Sequence, residues 1–270
     1  MDNQQQSEFW NGDAGSRWVT FSDRLDAMFG AFGDLILEAS NIKPDETVLF
    51  IGCGGGALSL RAAEAAQSVL GVDISRPLIG LAEKRAAGLA QTNFHCEDAA
   101  MISLDEKRDV VISRFGVMFF SDPVRAFANI REQVKPNGRM VFACWQSPMK
   151  NLWAKAPLEA AMQFFKEPPT SPEPHAPGPF AFADSEYLID TLMDAGWKTV
   201  ELTDWTGKIR LPGEDVEQTA AFMMEMGPLS KIMKVQDLDE KLVQSVLIEK
   251  LSSAANDDGT VDMQASVWIV

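Results

Sequence analysis

A glycine-rich turn and the aspartate that follows it are the residues best suited to ligand chemistry. Gly52, Gly54, Gly55 and Gly56 occupy four of five positions directly after a short apolar run. Glycine adopts backbone angles closed to other residues, and its missing Cβ lets a ligand lie against the main chain. Asp73 ends the next apolar run, and a carboxylate at that place can accept hydrogen bonds from ribose hydroxyls. The spacing therefore predicts a site for a ligand that carries a ribose.

The two histidines of the chain receive different interpretations. His95 falls at the end of a predicted strand, and we expect it to be buried and structural. His175 lies in a proline-rich segment, where an imidazole is either a surface residue or a general base. We therefore name His175 as the candidate catalytic residue.

The elements that must position these residues alternate between strands and helices. The predicted strands of this part occupy residues 48–51, 68–73, 93–96, 109–113 and 139–145. The predicted helices between them occupy residues 57–66, 76–90 and 122–130. The second strand is apolar throughout, as expected of a parallel strand that is covered on both faces. The alternation indicates a parallel sheet with right-handed crossovers.

The alternation ends at Trp145, and the elements predicted beyond it follow no regular order. The predicted helices there occupy residues 153–165, 185–196, 215–226 and 237–255. The predicted strands there occupy residues 200–205, 208–211 and 265–270. Residues 168–179 contain six prolines in twelve positions and therefore exclude a regular element. Before the fifth strand, Pro136-Asn137-Gly138 predicts a turn.

The segment before the first strand is helical. Residues 21–32 place apolar side chains at helical spacing, and the same helix is predicted to continue to residue 39. Trp10 and Trp18 precede it and flank Asn11-Gly12, which we interpret as a hinge. The segment either packs on the sheet or closes as a lid over a bound ligand.

The charge balance excludes several classes of partner. Lys and Arg number 24 against 39 Asp and Glu, so the net charge is −15. Such a surface repels the phosphate backbone of nucleic acid and an anionic membrane, whereas a cationic or neutral small molecule is compatible with it. No apolar run reaches transmembrane length and the first residues do not resemble a signal peptide, so we expect a cytoplasmic protein.

The cysteines indicate neither a disulfide framework nor a metal site. Cys53, Cys96 and Cys144 are odd in number and widely spaced, without the spacing of zinc ligands. We expect three reduced thiols and no bound metal. The sequence leaves the oligomeric state open between a monomer and a homodimer.

Five motifs between Val48 and Trp145 resemble those of class I S-adenosylmethionine (SAM)-dependent methyltransferases. They lie at residues 48–56, 71–75, 97–99, 113–123 and 136–139. More narrowly, the chain resembles the bacterial small-molecule branch akin to ubiquinone/menaquinone-type methyltransferases. The resemblance is looser elsewhere in the chain. It departs from the family at Phe50, a place where an acid usually lies near the methionine part of SAM.

The alternation and the resemblance together predict an α/β fold. The expected architecture is a doubly wound, Rossmann-like, seven-stranded sheet, mostly parallel with an antiparallel strand near the C-terminus, plus an inserted cap segment after strand five. The expected parts are an N-terminal helical lid at 1–46, a SAM-binding core at 47–145, the cap or substrate segment at 146–198 and a C-terminal completion of the sheet at 199–270. We expect these parts to form one structural domain.

The cofactor implied by the resemblance is S-adenosyl-L-methionine, with S-adenosylhomocysteine as its product. The acid of the third motif, here Asp98, receives the adenine amino group in the family. A dinucleotide such as NAD also fits Gly52-x-Gly54-x-x-Ala57, but it has no need of the Asp98-Ala99 pair. The implied cofactor-binding residues are Gly52, Cys53, Gly54, Gly56, Asp73, Ile74, Asp98, Ala99, Arg114, Phe115 and Trp18.

The expected function is transfer of the SAM methyl group to a small organic acceptor by in-line displacement. Two alternatives stay open: a SAM-fold enzyme of other chemistry, such as a cyclisation, and a non-catalytic protein that binds SAM or a partner. Several aromatic and methionine side chains are candidates for the acceptor pocket, although each could instead belong to the core. These candidates are Trp10, Met118, Phe119, Trp145, Trp153 and Phe180.

Overall fold

The computed structural model describes residues 3–167, 173–226 and 228–270. Within these residues, no helix combines the length and the apolar character needed to cross a bilayer. Pro168, Pro169 and Pro172 of the proline-rich stretch lie outside the described part. The described remainder of that stretch, from 173 to 179, contains turns and no regular element, as its prolines predicted.

Seven strands of the described residues form one mixed sheet, which confirms the predicted α/β architecture. The strands are β1 Thr47–Ile51, β2 Ser68–Asp73, β3 Thr92–Cys96, β4 Arg108–Arg114, β5 Val134–Trp145, β6 Thr203–Arg210 and β7 Asp262–Ile269. Their order across the sheet is β3-β2-β1-β4-β5-β7-β6. The first five strands pair in parallel, and β7 runs antiparallel to β5. The antiparallel strand expected near the C-terminus is therefore β7.

Burial of apolar side chains on both faces accounts for the central strands. Val48 and Leu49 of β1 are fully buried, as are Val110 and Val111 of β4. Such continuous apolar runs are typical of parallel strands covered by helices on both sides. The register aligns Phe50 with its β4 neighbour Ile112, so the carboxyl ends of the two strands meet at one edge of the sheet.

The helices of the described residues lie before, between and after the strands along the chain. Before β1 they are α1 Asn3–Asn11, α2 Asp13–Thr20, α3 Ser22–Met28 and α4 Gly30–Ser40. Between β1 and β5 they are α5 Ala57–Ala63, α6 Arg76–Arg85 and α7 Pro123–Glu132. After β5 they are α8 Leu152–Met162, α9 Ser185–Asp194, α10 Val216–Glu225, α11 Pro228–Gln236 and α12 Glu240–Ser252.

The single helix predicted over residues 21–39 is wrong, because the structure divides it. Phe29 separates α3 from α4 with φ −97° and ψ 8°. Its ring lies edge-on to Phe115 and Trp145, with ring centroids 5.2 and 6.0 Å away. The break therefore coincides with a residue whose ring is fixed by tertiary packing. The expected hinge at Asn11-Gly12 is the junction between α1 and α2.

Two strand predictions also differ from the structure. The strands expected at 200–205 and 208–211 are one strand, β6. Gly207 lies against the ring of Trp205, where an added Cβ would be only 2.6 Å from the indole, so the glycine serves packing within a strand. The turn expected at Pro136-Asn137-Gly138 lies inside β5. It is accommodated by a register shift in the β4–β5 pairing, between Arg108 and Val110.

Further corrections concern the last helices and His95. The helix expected at 237–255 is α12, which begins only at Glu240 because the Asp239 carboxylate accepts hydrogen bonds from the Lys241 and Leu242 N–H groups. The preceding α11 was not predicted. His95 was expected to be buried, but half of its side chain is exposed and Nδ1 lies 3.9 Å from a Glu97 oxygen.

The chain divides into two compact units, and each is described by itself. The first comprises Met1–Trp145, His175–Asp204 and Val267–Val270 and contains all the parallel strands. The second comprises Gln146–Pro174 and Trp205–Ser266. Its hydrophobic core includes buried residues from three of its helices, namely Ala161, Leu229, Met233 and Val243.

Asp109 links three strands at the amino end of the parallel sheet. Its Oδ2 accepts hydrogen bonds from the Thr47 N–H and hydroxyl groups of β1, at 2.8 and 2.7 Å, and from Lys135 Nζ of β5 at 2.8 Å. Partial burial alone would raise the pKa of Asp109, but the hydrogen bonds from Lys135 and Thr47 lower it to about 2. Because this pKa lies below the unfolded value, the ionised carboxylate stabilises the folded state at neutral pH.

Asp109→Asn should therefore lower the free energy of unfolding at pH 7 by about 2 kcal/mol, the equivalent of the pKa shift. The difference from wild type should shrink as the pH falls from about 5 to about 2, because the wild-type carboxylate is protonated over that range. Denaturant unfolding at several pH values measures both effects. The exposed Asp105→Asn is the control. A difference that stays constant with pH would contradict the assignment.

Candidate functional site

The glycine turn between β1 and α5 lies at the carboxyl edge of the sheet. The N–H groups of Gly52 and Cys53 both donate to the Val72 carbonyl of β2, at 2.8 and 3.1 Å. Gly54 has φ +56°, and an added Cβ would meet no atom within 4 Å. The turn is therefore fixed to the neighbouring strand on one side and open at Gly54 on the other. Such an open main chain allows a ligand to approach closely.

The carboxylate of Asp73 is held against this turn. It accepts a hydrogen bond from the Gly54 N–H at 2.8 Å and another from the Ser75 N–H at 2.9 Å. Burial raises the pKa of Asp73, and the hydrogen bonds from Ser75 and Gly54 offset part of that rise. Because an ionised carboxylate has more acceptor positions than these two bonds use, Asp73 can also accept hydrogen bonds from ligand hydroxyls.

Asp98 occupies the equivalent place after the neighbouring strand β3. One of its oxygens accepts from the Ala100 N–H at 2.9 Å, and the other accepts from Asn3 Nδ2 at 2.6 Å. Ala99 beside it is buried. Asp98 lines a cavity of about 490 Å³ between α1 and the ends of β2 and β3. The cavity is lined by Asn3, Gln4, Ser7, Asn11, Ile74, Arg76, Cys96, Glu97 and Asp98. A cavity of this volume is within the range of small-molecule sites.

The first helix covers this edge of the sheet. Asn11 donates to the Ile74 carbonyl at 2.9 Å and accepts from the Arg76 N–H at 2.9 Å. The Ser75 hydroxyl donates to the Trp10 carbonyl at 2.8 Å. On the same helix, the Gln6 side chain is buried, and neither its oxygen nor its nitrogen has a hydrogen-bond partner among the residues that the structure describes. A buried amide without partners is costly, so Gln6 is a candidate to bind a ligand.

Phe115 follows the last residue of β4 in an unusual backbone conformation. Its φ of +63° is rare for a residue with a side chain. Its ring stacks on Trp145, with ring centroids 4.2 Å apart and planes within 4° of parallel. An aromatic cluster extends from this pair towards the first helix through contacts between neighbouring rings. We define the aromatic cluster as Trp10, Trp18, Phe29, Phe32, Phe115, Phe119 and Trp145.

The candidate acceptor residues differ in their surroundings. Trp10 and Phe119 are in edge contact, with ring centroids 5.4 Å apart, and both are partly exposed. Met118 and Trp145 are 2% and 3% exposed and are packed in the interior. Phe180 follows a loop residue, Gly178, whose N–H donates to the Met118 carbonyl at 3.0 Å. Trp153 belongs to the second unit, where its Nε1 donates to Asn151 at 3.2 Å.

His175 is held by residues of the first unit. Its ring stacks on Tyr187 of α9 with centroids 3.7 Å apart, and its Nε2 lies 3.6 Å from an Asp184 oxygen. Its φ of +60° is again unusual for a non-glycine residue. These contacts fix the orientation of the imidazole and account for its place without a catalytic role.

Several residues of the site were missed at the level of sequence. These residues are Asn3, Gln6 and Asp26, whereas Arg114 was predicted. Asn3 pairs with Asp98 and Asp26 pairs with Arg114, so both have partners far away along the chain. No local motif marks them, because a polar residue on an amphipathic helix usually faces solvent. Within the described residues, no group of three or more His, Cys, Asp or Glu side chains could hold a metal ion.

The middle of the chain matches a known protein family. Residues 49–142 fit the family described as a methyltransferase domain. A demethylmenaquinone methyltransferase from Paenarthrobacter aurescens is 25% identical over 183 residues, 65% of this chain and 71% of that relative. A ubiquinone biosynthesis O-methyltransferase from Coxiella burnetii is 34% identical over 98 residues, 36% of this chain and 42% of that relative. The chain thus matches less than half the length of the second relative.

A solved structure shares the fold across most of its length. Magnesium protoporphyrin IX methyltransferase from Synechocystis PCC 6803, with bound S-adenosylhomocysteine, has a TM-score of 0.57 at 20% identity, covering 75% of this chain and 93% of that one. The fold and the edge site define a Rossmann-like domain. Together with the family match over residues 49–142, they show a class I methyltransferase domain, whose cofactor is S-adenosylmethionine.

The residues at the sheet edge fit this cofactor. The open side of Gly54 leaves room for a ligand against the main chain. Asp73 and Asp98 present carboxylates at the ends of adjacent strands, at the edge where open α/β sheets bind ligands. The side-chain amide of Asn3 donates a hydrogen bond to Asp98. The adenine amino group would supply a donor of the same kind. The nearby cysteine thiols are free of disulfide bonds, and burial raises the pKa of Cys53 well above its usual value.

Asp73→Ala should weaken SAM binding by about 1.5–3 kcal/mol, the range for hydrogen bonds to a charged group. Asp98→Ala should weaken SAM binding less, because that carboxylate would accept a hydrogen bond from a single amino group. Calorimetric titration of SAM into each variant measures the change, with Asp105→Ala as the control and thermal melting as the check on folding. Unchanged affinity in Asp73→Ala would contradict the ribose assignment, and tighter binding of NAD than of SAM would contradict the cofactor.

Proposed function

We propose that this protein transfers the SAM methyl group to a small organic acceptor by in-line displacement. The observation that carries the proposal lies within the first unit. There, the open glycine turn follows β1 and lies against Asp73 at the end of β2, and Phe115 of the aromatic cluster follows the adjacent strand β4. A polar place for the cofactor thus lies near apolar rings that could receive an acceptor. The names of the two relatives, which are methyltransferases of quinone biosynthesis, support an acceptor with an apolar ring.

Positioning is the main task of the protein in this reaction. When bound, SAM supplies a methyl group that is already electrophilic. The residues of the chain must hold the acceptor in line with that methyl group and keep water away, and correct placement alone can supply much of the rate. The partly exposed rings of Trp10 and Phe119 are our candidates for the acceptor surface. Phe115 and Trp145 form a stacked pair within the same aromatic cluster.

The first helix is proposed to act as the lid of the site. It lies over the cavity at Asp98 and binds the loop after β2 through Asn11 and Trp10. Entry of the cofactor would require the bond between Asn3 and Asp98 to break. Closure of the helix over the bound cofactor would then exclude water from the reaction.

Formation of S-adenosylhomocysteine tests the proposed function. The purified protein should convert SAM to S-adenosylhomocysteine only when an acceptor is present, and the acceptor should gain one methyl group by mass spectrometry. Small phenols and hydroxylated quinone precursors are the first acceptors to screen, because the proposed pocket is aromatic. Altered acceptor without any S-adenosylhomocysteine would support the cyclisation alternative. SAM binding without turnover of any acceptor would support the non-catalytic alternative.

His175→Ala should leave kcat within about threefold of wild type, because Tyr187 and Asp184 already account for the position of the imidazole. It should lower thermal stability about as much as Tyr187→Leu, which removes the same ring stack. Steady-state kinetics and thermal melting of both variants measure this. A general-base role would instead lower kcat by roughly 10²–10⁴ in His175→Ala alone, which would contradict the expected outcome.

We further propose that the protein acts in the cytoplasm on a small molecule, as a monomer or homodimer. The net charge of −15 supports this proposal, because it disfavours association with nucleic acid or with an anionic membrane.

A further inference from the structure

A partly buried ion-pair cluster joins the N-terminal helices to the glycine turn. Asp26 of α3 accepts a hydrogen bond from Arg114 at 2.8 Å through one oxygen and from Arg85 at 3.0 Å through the other. The same Arg85 nitrogen donates to the Gly55 carbonyl at 2.9 Å. The side chains of Asp26 and Arg114 are only 25% and 14% exposed. Asp26 therefore lies beside the cofactor turn with both oxygens engaged by guanidinium groups.

The strand order places this cluster at one end of the expected ligand. Asp98 follows β3 and Asp73 ends β2, and β1 and β4 come next across the sheet. A cofactor whose adenine and ribose face these two carboxylates extends its amino-acid end towards β1 and β4. Arg114 is the last residue of β4. Phe50 of β1 is 1% exposed, so the adjacent strand contributes no carboxylate near its end.

The amino-acid end of SAM carries an ammonium and a carboxylate. Each of these charges needs a partner when it leaves water, because an unpaired buried charge is strongly unfavourable. The pair of Asp26 and Arg114 offers one group of each sign. Arg85 also pairs with Asp23, so it keeps a carboxylate if Asp26 changes its partner. A ligand with both charges can therefore enter the cluster without leaving net charge behind.

We propose that Asp26 and Arg114 bind the amino-acid end of SAM, the ammonium to Asp26 and the carboxylate to Arg114. The proposal rests on the proposed function, since it takes SAM as the ligand. The Arg114 guanidinium presents donors in a planar fork that suits a carboxylate. Binding replaces the pair between Asp26 and Arg114 with two pairs to the ligand. Asp26, a residue of the N-terminal segment, thus supplies the charge that the end of β1 lacks.

Comparison of two ligands separates this role from a purely structural one. S-adenosylhomocysteine carries the amino-acid end, whereas 5′-methylthioadenosine has the same adenine and ribose without it. In Asp26→Asn, calorimetry should show an affinity for S-adenosylhomocysteine about 10- to 100-fold below wild type, the range for hydrogen bonds to charged groups. The affinity for 5′-methylthioadenosine should change by less than about threefold. Loss of packing alone would lower the affinities for both ligands equally, and that result would overturn the proposal.

Asp34→Asn is the matched control, because Asp34 pairs with Arg61 and so also ties an N-terminal helix to the core. It should change neither affinity. If Asp26→Asn does not fold, Asp26→Glu retains the charge and displaces the carboxylate by one methylene. This variant should lower the affinity for S-adenosylhomocysteine selectively. An affinity equal to that of wild type would overturn the proposal. Wild-type protein that binds neither ligand would instead contradict the proposed function itself.

Discussion

The main chains of Gly52 and Gly116 approach each other too closely for any side chain to lie between them. A Cβ on Gly52 would be 2.7 Å from the Gly116 Cα, and one on Gly116 would be 2.9 Å from the Gly52 Cα. These residues follow β1 and β4, which are neighbours in the sheet. The contact brings the segment after β4 against the glycine turn. Arg114 and Phe115 lie beside the cofactor turn for this reason, and the ion-pair cluster and the aromatic cluster both depend on it.

The left-handed conformation of Phe115 shows how the aromatic cluster stabilises this arrangement. Such a conformation costs on the order of 1–2 kcal/mol for a residue with a Cβ. The stack on Trp145 and the edge contacts with Phe29 and Phe32 act in the opposite direction, since aromatic pairs each contribute about 0.5–1.5 kcal/mol beyond their burial. Two of these rings come from the N-terminal helices. The part of the N-terminal segment that carries Phe29 and Phe32 therefore holds the strained end of β4 in place.

Local patterns were sufficient to predict the five parallel strands and the glycine turn after the first of them. Apolar runs, the glycine turn and Asp73 are signals that can be recognised within a few residues. The contact between Asp26 and Arg114 joins residues 88 positions apart, and only the folded chain brings them together. His95 was misjudged because β3 is an edge strand in the sheet order. Its sequence does not show that one face of this edge strand is left uncovered, which exposes the alternate side chains Asn93 and His95.

The three cysteines occupy environments that differ enough to be distinguished chemically. Cys53 and Cys144 are buried, whereas Cys96 is partly exposed and lines the cavity beside Asp98. Burial raises the pKa of the Cys96 thiol, and Arg76 opposes that rise. An alkylating reagent therefore meets Cys96 before the other two thiols. Cys96 is thus a natural labelling site in the cavity under the first helix. A small label on it could report whether a ligand occupies the cavity, without any engineered cysteine.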